Sequence, residues 1–150
     1  MYYSNTLYLH HKIIATTNYQ QKFIAMAYIS TDEVKEIRTQ LKDVLKSKGI
    51  TGTVKREHYS IVVLSVKSNG KLINEFADEK FSSYNVHNNW LNFTEEDKSK
   101  YFKFIRRRQE IERELTELDN ALILPTYRDN TDIMTDYFDV SYYTDIIVVN

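Results

Sequence analysis

The chain has 150 residues, 42% of them hydrophobic, and a formal net charge of −1 at pH 7, so it is long enough for one domain with a buried core. It contains no cysteine, which excludes disulfides, thiolate zinc sites and cysteine nucleophiles. A net charge this close to zero predicts no attraction of the whole molecule to nucleic acid, although a local basic patch can still bind it.

Neither a membrane segment nor a secretory signal is apparent. No apolar run reaches the roughly 20 residues that cross a bilayer. His10, His11 and Lys12 interrupt the N-terminal region, where a signal peptide needs an unbroken apolar segment. We therefore expect a cytoplasmic protein with a single domain at residues 26–150. Residues 1–25 have a strand-like composition without a clean period, so they are either an extension with its own strand or a dispensable arm.

The clearest predicted element is an amphipathic helix that begins after Ser30. Ser30 and Glu33 have the spacing of a capping box, in which each side chain satisfies the other residue's backbone N–H. Gly49 is placed to end the helix in a left-handed conformation. Apolar side chains recur between these residues at helical period, at Val34, Ile37, Leu41, Val44 and Leu45.

Two strand-like segments follow this helix. Residues 51–57 alternate loosely, and residues 59–66 are apolar on both faces, which predicts a central strand. The expected faces are Ile61, Val63 and Val66 on one side and Val62 and Leu64 on the other. The short connection around His58 favours an antiparallel hairpin, and residues 67–71 predict a second turn.

The second half of the chain predicts one long helix and a final strand. Residues 72–81 are predicted as a short helix or an irregular excursion, and residues 84–90 are β-compatible but weakened by three asparagines. Thr94 caps a helix that should end before Pro125.

The last strand is predicted over residues 137–149, bent or bulged near residues 141–145. One expected face carries Phe138, Val140, Tyr142, Ile146 and Val148, and the other carries Tyr143, Ile147 and Val149. Together the elements predict an α+β fold with an antiparallel sheet packed by two main helices.

Three segments resemble a known family. Residues 26–38 (MAYISTDEVKEIR) and 52–60 (GTVKREHYS) resemble the large polyvalent protein-associated domains of phages and mobile elements, in which an IS-x-x-E helix leads to a strand with a basic-aromatic tip. Residues 132–140 (DIMTDYFDV), continuing through Tyr143 and Asp145, are similar to the C-terminal signature of small phage proteins of that group. The resemblance implies a phage or mobile-element origin and brings no catalytic residues with it.

An aspartate cluster near the C-terminus is the first candidate site. Its members are Asp129, Asp132, Asp136, Asp139 and Asp145. Carboxylates suit hard cations, but the glycine bend and terminal glutamate of a calcium-binding EF-hand loop are missing. Loop capping explains the same residues, so no metal site is predicted.

The second candidate is the predicted hairpin tip. Arg56, His58 and Tyr59 combine a cation with rings at an exposed turn, where they are suited to grip phosphate or to stack on a base. The alternative is an ordinary polar turn.

The third candidate is the basic first half of the long helix. Lys103, Arg106 and Arg107 are placed to form a phosphate-facing surface. The alternative is a solvated helix face whose charges are balanced by the glutamates that follow at i,i+4 spacing.

The sequence contains no glycine-rich phosphate loop, nucleophile elbow or metal-ligand spacing, so we expect no enzymatic activity and no cofactor. Twelve tyrosines in a chain of this length favour a recognition surface. The leading hypothesis is a phage-encoded inhibitor that binds a host protein in the bacterial cytoplasm, such as a component of a CRISPR–Cas defence system. The alternative is a nucleic-acid-binding accessory protein that uses the basic helix and the hairpin tip. A third alternative, a ligand sponge or an enzyme of an undescribed kind, stays open because a pocket can form from residues scattered in the sequence.

Overall fold

The structure is a computed structural model that describes residues 27–135 and 139–149. Three α-helices and three strands occur in the described residues: α1 (Thr31–Lys48), β1 (Thr51–Glu57), β2 (Ile61–Lys67), α2 (Ser83–Asn89), α3 (Glu95–Asn120) and β3 (Tyr143–Val149). Short 3-10 turns lie at Glu79–Phe81 and Trp90–Asn92. The predictions for residues 1–25, Asp136 and Phe138 lie outside the described residues.

The capped helix α1 is confirmed by its two ends. The Ser30 hydroxyl accepts from the N–H of Glu33 at 3.2 Å, and the Glu33 carboxylate accepts from the N–H of Ser30 at 2.7 Å. Gly49 ends the helix at φ +63°, in the left-handed region that glycine tolerates best. The buried face of α1 consists of Val34, Ile37, Leu41 and Leu45.

The predicted α+β class is confirmed, with a sheet that is mixed. The strand order is β1-β2-β3, where β1 pairs antiparallel with β2 and β3 pairs parallel with β2. Parallel neighbours need a crossover connection, and the long segment between β2 and β3, which includes α2 and α3, supplies it. The predicted hairpin and the predicted central position of β2 are confirmed.

The prediction that Val66 shares a face of β2 with Ile61 and Val63 is wrong. Val62, Leu64 and Val66 all belong to the core cluster, because side chains two residues apart point to the same face of a strand. Val66 therefore lies with Val62 and Leu64 and not with Val63. The last strand is shorter than predicted, because β3 begins at Tyr143. On β3, Ile146 and Val148 face the same cluster, as predicted.

One hydrophobic cluster contains side chains of α1, α3 and the sheet. The α3 members are Ile111, Leu115 and Leu118, which repeat at helical period. Gly52 lets α1 approach β1 closely, since a Cβ there would lie 3.3 Å from Cδ1 of Leu45 and 3.1 Å from the carbonyl oxygen of Ser65. None of the helices in the described ranges is both long and apolar enough to span a bilayer.

The segment between β2 and α3 differs most from its predicted structure. Residues 72–81 are largely irregular, which is one of the two predicted alternatives, but residues 83–89 form helix α2. The hydroxyl of Ser82 caps α2 by accepting from the N–H of Asn85 at 3.3 Å. At the start of α3, Thr94 and Asp97 form a capping box. Helix α3 ends at Asn120, before Pro125 as predicted.

Candidate interaction surfaces

The hairpin tip is a tight turn in an unusual conformation. The N–H of Ser60 donates to the carbonyl of Glu57 at 3.2 Å, and the two central residues, His58 and Tyr59, have φ of 50° and 59°. Positive φ at both central positions defines a type I′ turn, where asparagine and glycine are preferred. A non-glycine residue in this region costs about 1–3 kcal/mol. The chain therefore keeps two unfavourable residues at its tip.

A second turn of the same kind has the preferred residues. Asn69 and Gly70 have φ of 50° and 85°, and the N–H of Lys71 donates to the carbonyl of Ser68 at 3.0 Å. Asparagine tolerates the left-handed region and glycine adopts it without penalty. The chain therefore uses the favourable pair of residues at this turn. The unfavourable pair His58-Tyr59 distinguishes the hairpin tip from it.

The three residues predicted at the tip do come together, but not in equivalent roles. The Arg56 guanidinium lies 4.8 Å from the centre of the Tyr59 ring and also donates to the carbonyl of Ile29 at 3.1 Å. The N–H of Ile29 donates to the carbonyl of Tyr59 at 2.9 Å, so the segment before α1 holds the tip in place. Arg56 is half-buried in this structural role, whereas His58 is exposed and Tyr59 is 65% exposed.

On α3, the structure separates the three predicted basic residues. Lys103 and Arg106 are exposed, lie one turn apart on one face of the helix, and have no ion-pair partner in the described part of the chain. Arg107 points elsewhere and fastens the loop after β2, since its guanidinium donates to the carbonyl of Lys71 at 2.7 Å and of Ile73 at 3.3 Å. It also contacts the carboxylate of Glu75 at 3.2 Å.

Several other charges on α3 are balanced along the helix, as one predicted alternative expected. Arg108 pairs with Glu112 at 2.9 Å and Lys100 pairs with Glu96 at 2.7 Å, both at i,i+4 spacing. This pairing leaves Lys103 and Arg106 as the exposed cations that can meet a partner on this part of α3.

An aromatic cluster orders the segment before α3. Its rings are Phe81, Trp90, Phe93, Tyr101 and Phe104, with neighbouring centroids 5.5–6.4 Å apart. Phe81 and Phe93 are buried, so the cluster is a small satellite core that packs the loop on the first turns of α3.

Two exposed apolar side chains that the sequence analysis missed adjoin this cluster along the chain, since Leu91 follows Trp90 and Phe102 follows Tyr101. Leu91 is 95% exposed and Phe102 is 58% exposed, and the Phe102 ring packs edge-on to Trp90 at 6.1 Å. Phe102 precedes Lys103 and lies one turn before Arg106. We call Trp90, Leu91, Phe102, Lys103 and Arg106 the aromatic-basic surface. One signal was available in the sequence, since Phe102 falls outside the apolar period of α3.

The described C-terminal aspartates have different roles: Asp129 and Asp132 cap loop turns, Asp139 pairs with Arg128, and Asp145 lies in β3. Asp129 accepts from the N–H of Thr131 at 3.0 Å, and Asp132 accepts from the N–H of Met134 at 2.9 Å. Asp139 accepts from the Arg128 guanidinium at 2.8 Å, and this hydrogen bond lowers the pKa of the Asp139 carboxyl. Within residues 27–135 and 139–149, no group of three or more histidine or acidic side chains is arranged to hold a metal ion.

Comparisons of the chain with protein-family models, curated proteins and solved structures found no match. The resemblance to the large polyvalent protein-associated domains, and the origin it implies, therefore stay predictions.

Proposed function

We propose that this chain is a non-enzymatic accessory protein of a phage or mobile element that binds and inhibits a host factor in the bacterial cytoplasm. A defence system such as CRISPR–Cas is the first candidate target. The observation that carries the proposal is the aromatic-basic surface, where the exposed Phe102 ring packs on Trp90 and Leu91, next to Trp90 in the chain, is exposed as well. Exposed apolar side chains grouped in this way are typical of protein interaction sites.

The energetics of these side chains favour a protein partner. Full burial of a leucine or phenylalanine side chain contributes about 1.5–3 kcal/mol, and this contribution is largely unrealised for Leu91 in the free chain. Tryptophan and arginine dominate the binding energy of many interfaces, and here Trp90 contacts the Phe102 ring while Arg106 lies one turn from Phe102 on α3. A partner that covers this surface gains apolar burial at Phe102 and meets the cations Lys103 and Arg106.

The inhibitor class rests on the sequence. The resembled family carries over no catalytic residues, and the chain lacks cysteine and the common phosphate-loop and nucleophile motifs. A small protein without such chemistry acts on a host factor by occupying a surface of it.

The test is an affinity pull-down from bacterial lysate in the presence of nuclease, with wild type compared with the double variant Leu91→Ser, Phe102→Ser. We expect the wild type to retain a stoichiometric protein partner and the variant to lose it. The matched control is Tyr84→Ser, which removes a 77% exposed ring from α2, outside the aromatic-basic surface. Recovery of no specific protein contradicts the proposal, and so does equal recovery of the partner by the wild type and the double variant.

Inhibition is tested separately in cells. Expression of the chain in a host with an active CRISPR–Cas system should restore plaque formation by a targeted phage, and the double variant should not restore it. If neither protein restores plaque formation, this defence system is not the target. The pull-down then still reports on binding to a host protein.

A second candidate function is nucleic-acid binding, and the position of Lys103 and Arg106 beside Phe102 favours it. Two unpaired cations and an exposed ring can contact phosphates and stack on a base, and the exposed Tyr59 and His58 offer a second contact point. Fluorescence anisotropy with labelled oligothymidine between about 50 and about 200 mM salt tests this function, since counterion release makes such binding fall steeply with salt.

The double variant Lys103→Glu, Arg106→Glu should abolish that binding. The matched control is Lys55→Glu, Lys67→Glu, which changes the net charge equally at two exposed residues of the sheet. Salt-insensitive binding, or an equal loss in both variants, argues against a nucleic-acid site on α3.

A further inference from the structure

A groove of about 810 Å³ separates α1 from β1. Leu41, Leu45, Ile50 and Val54 are buried side chains that form its apolar floor. This groove shares no residue with the aromatic-basic surface or with the predicted site residues of the hairpin tip and α3.

The rim of the groove carries charge of one sign. Arg38, Lys42 and Lys46 line it, and no aspartate or glutamate does. Lys42 and Lys46 are exposed and lie one turn apart on α1, without an ion-pair partner among the described residues. Asp43 lies one turn before Lys46 on α1 but does not line the groove. The groove is therefore complementary to a ligand that combines apolar groups with negative charge.

The second wall of the groove is the backbone edge of β1. The Arg38 guanidinium donates to the carbonyl of Val54 through Nη2 at 2.9 Å and Nε at 3.2 Å, so this carbonyl faces away from β2. Backbone groups two residues apart on a strand point to the same side, which places the N–H and C=O of Gly52 on the same edge of β1, away from β2. Within the described sheet, β1 is an edge strand. Unpaired edge groups are a template for an added strand.

We propose that this groove binds an extended acidic peptide segment of a partner protein by strand addition to β1. The peptide backbone pairs with the edge at Gly52 and with the N–H of Val54. Alternate side chains of the peptide lie over Leu41 and Leu45 or place carboxylates against Lys42 and Lys46. Main-chain pairing supplies affinity in this binding mode, and the pockets for alternate side chains supply specificity.

The lining of the groove favours a peptide over nucleic acid. Single-stranded nucleic acid is held by rings on which its bases stack, and no aromatic side chain lines the groove. A peptide strand instead matches the two-residue repeat of the β1 edge and the apolar floor beside it.

The test is selection from a random peptide display library, panned in parallel against the wild type and the variant Lys42→Glu, Lys46→Glu. Both substituted residues are exposed, so the fold is expected to persist, and circular dichroism checks it. We expect enriched peptides in which acidic and apolar residues alternate. Their affinity for the variant should fall by about tenfold or more. The control Lys103→Glu, Arg106→Glu, which makes the same charge change at exposed residues of α3 that do not line the groove, should retain the wild-type affinity.

Amide hydrogen exchange locates the bound peptide. An enriched peptide should slow exchange at Gly52 and Val54, because strand addition protects outward-facing N–H groups. The proposal is overturned if panning enriches no peptide above background, if the enriched peptides bind the variant as tightly as the wild type, or if protection appears elsewhere. Oligothymidine binding that the same variant abolishes would assign the groove to nucleic acid instead. Since the aromatic-basic surface is unchanged in this variant, the host-factor proposal can fail or succeed independently.

Discussion

The hydroxyl of Tyr142 donates to the carbonyl of Leu122 at 2.8 Å, deep in the core. The same oxygen accepts from the N–H of Leu124 at 2.9 Å. One buried side chain just before β3 thus satisfies two backbone groups in the segment that leaves α3. This bridge fixes where the crossover returns to the sheet, and the burial raises the pKa of the Tyr142 hydroxyl.

Substitution Tyr142→Phe removes this bridge and leaves two buried backbone groups without a partner. We expect the free energy of unfolding to fall by about 1–3 kcal/mol, the usual cost of an unsatisfied buried group. Urea denaturation followed by circular dichroism measures the change. The control is Tyr143→Phe, on a partly exposed ring next along the chain. Equal stability of the two variants would show that the bridge contributes little.

Because His58 and Tyr59 are unfavourable in their turn, replacing them with favourable residues should stabilise the fold. Replacing His58 by asparagine and Tyr59 by glycine reproduces the residues of the turn at Asn69 and Gly70. We expect the free energy of unfolding to rise by about 1 kcal/mol, after the loss of the Arg56 ring contact is counted. Urea midpoints measure this change, and a lower midpoint would mean that the side chains at the tip stabilise the fold.

Arg106 and Arg107 are adjacent in sequence but are expected to behave differently on substitution. Arg107→Ala should lower the free energy of unfolding by about 1–3 kcal/mol, because the carbonyls of Lys71 and Ile73 lose a charged donor. Arg106→Ala should change it by less than about 0.5 kcal/mol, as is usual at the surface. Thermal and urea unfolding of both variants tests the assignment. Similar effects of the two substitutions would show that Arg107 does not anchor the loop.

Ser68 is fully buried, and its hydroxyl has no hydrogen-bond partner in the described part of the chain. Substitution Ser68→Ala removes an unsatisfied polar group and keeps the backbone bond that closes the turn. We expect the free energy of unfolding to rise by about 1 kcal/mol. Denaturant unfolding measures it, with Ser47→Ala as a control on an exposed hydroxyl. A clear loss of stability would mean that the Ser68 hydroxyl has a partner such as a buried water.

Asp97 makes the start of α3 sensitive to acid. Hydrogen bonds from the Lys80 side chain and then from Thr94 lower the pKa of Asp97 from 3.8 to about 2. A carboxyl whose pKa is lower in the folded state stabilises the fold above its unfolded pKa, and this contribution is lost as pH falls from about 4 to about 2. The difference in unfolding free energy between wild type and Asp97→Asn should therefore shrink across this range. Urea unfolding from about pH 5 to about pH 2 measures it, and a constant difference would contradict the assignment.

The features that the sequence alone determined are those that depend on interactions between neighbouring residues. The capping boxes at Ser30 and Thr94 and the left-handed end at Gly49 involve groups within a few residues of one another, so their spacing predicts them. The hairpin between β1 and β2 follows for the same reason, since a short turn leaves two adjacent strands one way to pair. Residues 26–38 and 52–60, two of the three segments on which the family resemblance rests, are drawn largely from these same elements.

Features that depend on contacts between distant parts of the chain were decided by the tertiary structure alone. Arg107 meets carbonyls 34 and 36 residues away, and this distant contact separates it from Arg106, which helical spacing alone cannot do. The parallel pairing of β3, the exposure of Leu91 and the groove beside β1 likewise depend on how the crossover and α1 pack against the sheet. Packing of this kind is a sum of many weak contacts without a fixed sequence spacing, whereas a cap or a turn is specified by a few neighbouring residues.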